Sequence, residues 1–245
     1  MAIRGEIVRY LNDLLRCSEF KDYTSNGLQI EGAEEVQKIG FAVDPCLQVF
    51  EELADCQMIV THHGLWWPST DRLVGWQKHR INALMSRNIS LYAAHLPLDR
   101  HPQVGNNAQI LQKMGYEISG DFGEVGWYAE LSDAVTAQSL IDKFSRVIGA
   151  EVKSWLFGET MIQRFGVSSG GGGLKELEKA REKCLDLYFT GESSHSMYHA
   201  AREMGANVAF GGHYRTEVFG VQALMPLLEE NFGVKTRFLD CPTGC

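Results

Sequence analysis

The 245-residue chain reads as an α/β protein made of two similar α/β domains with mostly parallel sheets. Two observations predict this class. Short apolar runs alternate with amphipathic stretches of about 10–15 residues, the rhythm of βαβ units. That rhythm then occurs a second time in the C-terminal half, as a weak repeat of pattern rather than of identity. Bulk composition agrees: 44% hydrophobic and 22% charged residues are ordinary for a globular chain, and the length supports one large domain or two small ones with their own cores.

The elements follow in order. "MAIRGEIVRYLNDLLRCSEF" has apolar residues at Ile3, Ile7, Leu11, Leu14 and Leu15, the spacing of an amphipathic helix. "KIGFAVDP" (38–45), "CQMIVTHHG" (56–64) and "ISLYAAHLPLD" (89–99) read as strands. "CLQVFEELAD" and "QKHRINALMSRN" are the helices between them. "NNAQILQKMG" is a further helix, with Asn106 expected as its N-cap and Gly115 as its stop. "DAVTAQSLIDKFSRVIGAE" leads as a helix into the second half. There "QRFGVSSGG", "LDLYFTGE" and "ANVAFGGHYRTE" are strands, "LKELEKAREKC" and "SMYHAAREMG" helices, and "VFGVQALMPLLEENFG" with "TRFLD" a closing helix and strand. The expected division is 1–125 and 126–245, with interleaving of the halves left open.

The unusual polar residues collect at strand ends, where open α/β sheets bind ligands. His62 and His63 end the second strand, His95 and Asp99 follow the third, and His213 and Glu217 follow the matching strand of the second half. His213 and Glu217 lie near one face of a first helical turn if a helix begins at about Tyr214. His95 and Asp99 have the same spacing, but Pro97 argues for a turn rather than a regular helix. Imidazole with carboxylate suits zinc, iron, manganese or nickel more than calcium. Four histidines and two carboxylates exceed the needs of one tetrahedral ion and fit two divalent metals sharing a carboxylate and a water. If adjacent His62 and His63 diverge, each serves a different metal; the alternative is a strand-end pair bonded to backbone.

Net charge is −8, which weighs against a dedicated nucleic-acid binder without excluding a local basic patch. The six cysteines form no C-x-x-C pair, no secretory leader opens the chain, and no apolar run approaches a membrane span. The expectation is a cytoplasmic protein with reduced thiols. Cys241 and Cys245 give a weak C-x₃-C metal pattern.

"SNGLQIEG" (25–32), "THHGLWW" (61–67), "LYAAHLPLDRHPQVGNNAQI" (91–110), "TGESSH" (190–195) and "GGHYRTE" (211–217) together resemble the YbgI-like dinuclear-metal family, often labelled GTP cyclohydrolase 1 type 2 homologues. The resemblance runs from the first helix to the last. It implies a dimetal site in a cleft between the two domains and a hexameric ring. It carries metal ligation onto His62, His63, Asp99, His213 and Glu217, with Glu217 as the bridging carboxylate, and places His95 as a ligand or a group beside the ligands. Tyr214 and Glu192 depart from what many relatives carry, without removing a ligand.

Other motifs admit two readings. Glu192 and His195 either line the site and transfer protons or belong to a helix start. Asn26 reads as part of an Asn-Gly turn or as a ligand contact. "SSGGGG" (168–173) lacks the Walker spacing, so a turn is favoured over an anion cradle. Trp66 and Trp67 read as packing residues or as a lid for a base. His79, His101 and His199 have no assigned partner.

The leading function is a metal-dependent hydrolase acting on a nucleotide or other phosphate-bearing small molecule, with His95 and Glu192 as catalytic proton-transfer residues. The family label points to opening of the guanine ring of GTP. The alternatives are a non-catalytic metal-binding regulatory or chaperone-like protein, and a ring that contacts DNA or protein.

Overall fold

The structure is a computed structural model that describes residues 1–68 and 72–244. In chain order the elements are β1 (Ala2–Ile3), α1 (Arg4–Leu15), β2 (Gly27–Ile30), β3 (Glu35–Val36), β4 (Lys38–Ala42), α2 (Leu47–Glu52), β5 (Met58–Thr61), α3 (Gly75–Met85), β6 (Ser90–Ala93), α4 (Leu96–Arg100) and α5 (Asn106–Lys113). They continue with β7 (Gly120–Phe122), β8 (Gly126–Thr136), α6 (Ala137–Ile148), β9 (Lys153–Leu156), β10 (Met161–Ser168), α7 (Gly173–Glu182), β11 (Leu187–Thr190), α8 (His195–Glu203), β12 (Asn207–Phe210), α9 (His213–Thr216), α10 (Val218–Phe232) and β13 (Lys235–Phe238).

The chain forms two compact units. The first comprises Met1–Leu98 and Gly220–Cys241, the second Asp99–Phe219 and Pro242–Cys245. The C-terminal stretch joins the first unit because β13 runs parallel to β4, pairing Thr236 with Ile39 and Phe238 with Phe41.

In the first unit a five-stranded sheet has the order β13-β4-β5-β6-β2, and only the edge strand β2 is antiparallel to its neighbour. Every residue of β5 and β6 is buried, as expected of parallel strands covered on both faces. A cluster that includes Val49, Phe50, Leu53, Ile59, Leu84 and Leu91 joins the helices to this sheet.

In the second unit a six-stranded sheet has the order β7-β8-β10-β11-β12-β9. Its centre, β10-β11-β12, is parallel, and its flanking pairs β7/β8, β8/β10 and β12/β9 are antiparallel. The two parallel centres are the repeat read in the sequence: β5 and β11 both end on a buried threonine, Thr61 and Thr190.

Several elements differ from expectation. Residues 133–136 finish β8 rather than opening the helix, which begins at Ala137 with the Thr136 hydroxyl accepting from Ser139 N–H. Asn106 is the first residue of α5 and not its cap; Gly105 holds the cap position, and the Asn106 amide is instead committed to Asp99. Helix α4 does run through Pro97, because the proline lies in the first turn, where no intrahelical N–H donor is required. Cys245 of the C-x₃-C pattern lies outside the described residues.

Candidate functional site

In the first unit β5 stops at Thr61 and the chain bends at once. The N–H groups of His62 and His63 both donate to the Val43 carbonyl, at 3.1 and 2.9 Å. Both histidines therefore lie outside the strand, and the alternation that would send them to opposite faces no longer applies. Their ring centroids are 4.9 Å apart. His95, two residues past β6, brings a third ring to 5.2 Å from His62 and 5.7 Å from His63. One nitrogen from each of the three lies within 4.8 Å of the others. The three imidazoles thus come together as one group.

Each imidazole is held from behind by an oxygen. His62 Nδ1 lies 3.0 Å from the Ala94 carbonyl, His63 Nδ1 2.8 Å from Asp44 Oδ1, and His95 Nδ1 2.8 Å from Asp22 Oδ1. A carbonyl and carboxylate oxygens accept, so each Nδ1 atom carries a proton and Nε2 is the nitrogen turned away from the acceptor. This is the tautomer in which histidine ligates a metal through Nε2, oriented by an acceptor on its other nitrogen.

Asp22 is the most elaborated of these partners. Besides His95 it accepts from the Leu96 N–H at 3.0 Å and the Asn26 amide at 2.9 Å. Burial works to raise its pKa, but the hydrogen bond and charge of His95, with the Asn26 and Leu96 donors, outweigh burial and hold the carboxyl at about 2. Asn26 Oδ1 in turn accepts from His95 N–H at 2.8 Å.

Gly64 is required by close packing, not by an unusual φ. A Cβ there would overlap the Thr24 hydroxyl and the Gln29 amide. Those two side chains hold the loop, Thr24 donating to the Trp66 carbonyl and Gln29 accepting from Leu65 N–H, both at 2.7 Å.

The second unit carries the acidic groups. After β12 the chain passes through Gly211 and Gly212 into α9, and His213 Nε2 reaches Glu217 Oε1 at 3.2 Å. His213 Nδ1 lies 2.8 Å from Glu192 Oε1. Burial pulls the His213 pKa down, yet the hydrogen bond and charge of Glu217, with Glu192 behind, win and raise it to about 9. Asp99 and Glu217 are almost fully buried, and a carboxylate oxygen of one lies within 4.8 Å of an oxygen of the other. Asp99 Oδ1 accepts from the Asn106 amide and the Ser169 hydroxyl, each at 2.8 Å.

The glycine-rich turn serves this cluster. Gly170 has φ +63°, and a Cβ on it would strike Glu217 Oε1. Its N–H donates to the Thr216 hydroxyl at 3.0 Å, and its carbonyl accepts from the N–H groups of Gly191 and Glu192. The turn thus positions side chains rather than cradling an anion with Gly170. A cavity of about 500 Å³ in the same unit is lined by Glu192, Gly212, Arg215, Lys153, Glu151 and Tyr214, among others.

The profile of the Duf34/NIF3 (NGG1p interacting factor 3) family matches residues 2–243. The chain belongs to the DUF34/NIF3 family. Among its relatives, a "GTP cyclohydrolase 1 type 2 homolog" of Archaeoglobus fulgidus is 42% identical over 98% of both chains. Another of Pyrococcus abyssi is 41% identical over 98% of this chain and 99% of its own. Of solved structures, protein ybgI, described as of unknown function, superposes with TM-score 0.93 at 31% identity, covering 99% of this chain and 100% of that one. A Thermus thermophilus protein gives 0.91 at 36% identity over 99% and 100% of the two chains.

Within this DUF34/NIF3 chain the predicted ligands fall into two sets. His62, His63 and the candidate His95 share the first unit; Asp99, His213, Glu217 and the candidate Glu192 share the second. His195 opens α8 as an exposed residue, and His79 and His199 are exposed. His101 Nδ1 accepts from Gln103 and Val104 N–H, a turn role. Trp66 packs against the core cluster, and Trp67 donates to the Gly64 carbonyl at 2.8 Å. Asp22, Asp44, Thr24 and Gln29 escaped the sequence reading. The one available signal was Asp44-Pro45 directly after a strand, the place where α/β folds put functional groups.

Proposed function

We propose that this DUF34/NIF3 chain binds two divalent metal ions through its histidines and carboxylates, and hydrolyses a nucleotide or other phosphate-bearing small molecule. One observation carries the reading. Three imidazoles, His62, His63 and His95, each have Nδ1 within hydrogen-bonding distance of an oxygen acceptor, which turns Nε2 away from that acceptor, while His213 is held at Nδ1 by Glu192 and at Nε2 by Glu217. His62, His63, Asp99, His213 and Glu217 would hold the ions, and zinc, iron, manganese or nickel would suit these donors.

Bound metals would polarise the electrophile and lower the pKa of a water at the site. The chain's own contribution is orientation and proton transfer. Asp22 and Asn26 fix His95, and Glu192, which is bonded to His213 and lines the cavity, would accept and return a proton. The cavity size suits a small molecule, and Lys153 with Arg215 on its lining suits a phosphate or carboxylate. GTP, named in the relatives' description, is the first substrate to try. A homohexameric ring and a cytoplasmic location belong to the same reading. Among the described residues no helix is long and apolar enough to cross a membrane.

Turnover of metal-loaded protein on a panel of nucleotides and phosphoesters tests the reading. Glu217→Ala is expected to abolish turnover, and His95→Ala or Glu192→Gln to lower kcat by about 10²–10⁴-fold. Equal rates in the wild type and Glu217→Ala would refute the hydrolase assignment.

A further inference from the structure

We propose that Cys46 and Cys241 form a reversible intramolecular disulfide, a modification site that ties the segment after β13 to the loop that orients His63. Two independent features of the first unit bring them together. β13 lies parallel to β4, and the pairing continues past the strand, with Leu239 N–H donating to the Phe41 carbonyl at 2.8 Å. Adjacent strands are about 4.8 Å apart, within the Cα separation that a disulfide spans, so the chain beyond Leu239 travels beside the Asp44–Cys46 turn. At the side-chain level, Cys46 and Cys241 are both half-buried and pack against the same cluster as Val49, Phe50 and Leu53.

The chemistry needs an oxidant, and a hydroperoxide supplies it. The thiolate of one cysteine attacks a peroxide oxygen, forming an S–O bond and breaking O–O; the released hydroxide takes a proton. The second thiolate then attacks that sulfur, forming S–S and breaking S–O, and a second hydroxide is protonated. Two thiols lose two hydrogens and two electrons, and hydrogen peroxide becomes two waters. Burial, then Cys46, Asp44 and Glu52, raise the Cys241 pKa. A thiolate that is scarce at neutral pH reacts slowly, and as a poor leaving group it also slows reduction of the bond once formed.

The pair lies close to the site without belonging to it. Cys46 is two residues past Asp44, whose carboxylate holds His63 Nδ1, and Val43, one residue earlier, accepts from both His62 and His63 N–H. The bond would close a loop of about 200 residues, the circumstance in which a crosslink restricts the unfolded chain most.

Peptide mapping of the folded, full-length protein tests the proposal. Reduced protein is treated with hydrogen peroxide, alkylated and digested without reductant. The expected product joins the peptides of Cys46 and Cys241 at two hydrogens below their summed mass. It disappears with a thiol reductant and is absent from C46S and C241S. Its formation is expected to raise the melting temperature of the wild type by several degrees and to leave that of C241S unchanged. Melting of the untreated variants near the wild-type temperature establishes that they fold. A Cys241–Cys245 linkage, sulfinic acid at Cys46 alone, or a crosslink that forms faster in denaturant than in native buffer would overturn it. Mapping needs no bound metal, so its outcome is separable from the hydrolase reading.

Discussion

At the scale of residues, orientation decides what the histidines do. Asp22 illustrates this. Its folded pKa, at about 2, lies below the ordinary carboxylate value, so its interactions stabilise the fold above pH 4 and that stability is lost as pH falls toward 2. The depression corresponds to about 2 kcal/mol. Urea denaturation is expected to show wild type losing about that much more stability between pH 5 and 2 than Asp22→Ala loses. Parallel pH profiles would show that Asp22 is not held as described. Gly170 is a second case. Gly170→Ala combines a positive φ, costing about 1 kcal/mol or more, with a clash on Glu217. A lowered melting temperature is expected, together with weaker metal retention in dialysis; a silent substitution would contradict the packing.

Element scale explains what was legible and what was not. The parallel strands announced themselves because β5, β6, β11 and β12 are buried along their whole length and read as continuous apolar runs. Their ends, with His62, His63, His95 and His213, were legible for the same reason. β2 and β8 were not. β2 alternates buried and exposed over four residues within a stretch that begins as a turn, and β8 is largely exposed in its second half. Asp22 was illegible because its partner His95 is 73 residues away, a pairing only the antiparallel β2–β6 contact creates. Helix packing supports the second set of site residues. Phe144 of α6 is fully buried and stacks on Phe189 of β11 with centroids 4.5 Å apart. Phe144→Ala is expected to cost about 3–5 kcal/mol by chemical denaturation. A loss under 1 kcal/mol would mean that α6 does not anchor this sheet.

For the whole molecule, interleaving follows from topology. The closing strand returns to the first sheet, so a cut at residue 125 would strip β13 from β4. Because a ligand that binds only the folded state adds stability by mass action, chelation is expected to lower the melting temperature of metal-loaded wild type. The difference should vanish in His62→Ala, measured by differential scanning fluorimetry; an undiminished difference would place the metal elsewhere. The net charge of −8 predicts no salt-sensitive DNA binding, and a salt-dependent complex would favour the interaction-factor alternative instead.

In the proposed function, oriented imidazoles and buried carboxylates hold two metals. Elemental analysis of the purified protein after loading and desalting tests it most directly, with His62→Ala and Glu217→Ala alongside wild type. Two metal ions per wild-type chain and a marked loss in both variants are expected. No bound metal in wild type, or an unchanged content in both variants, would contradict it.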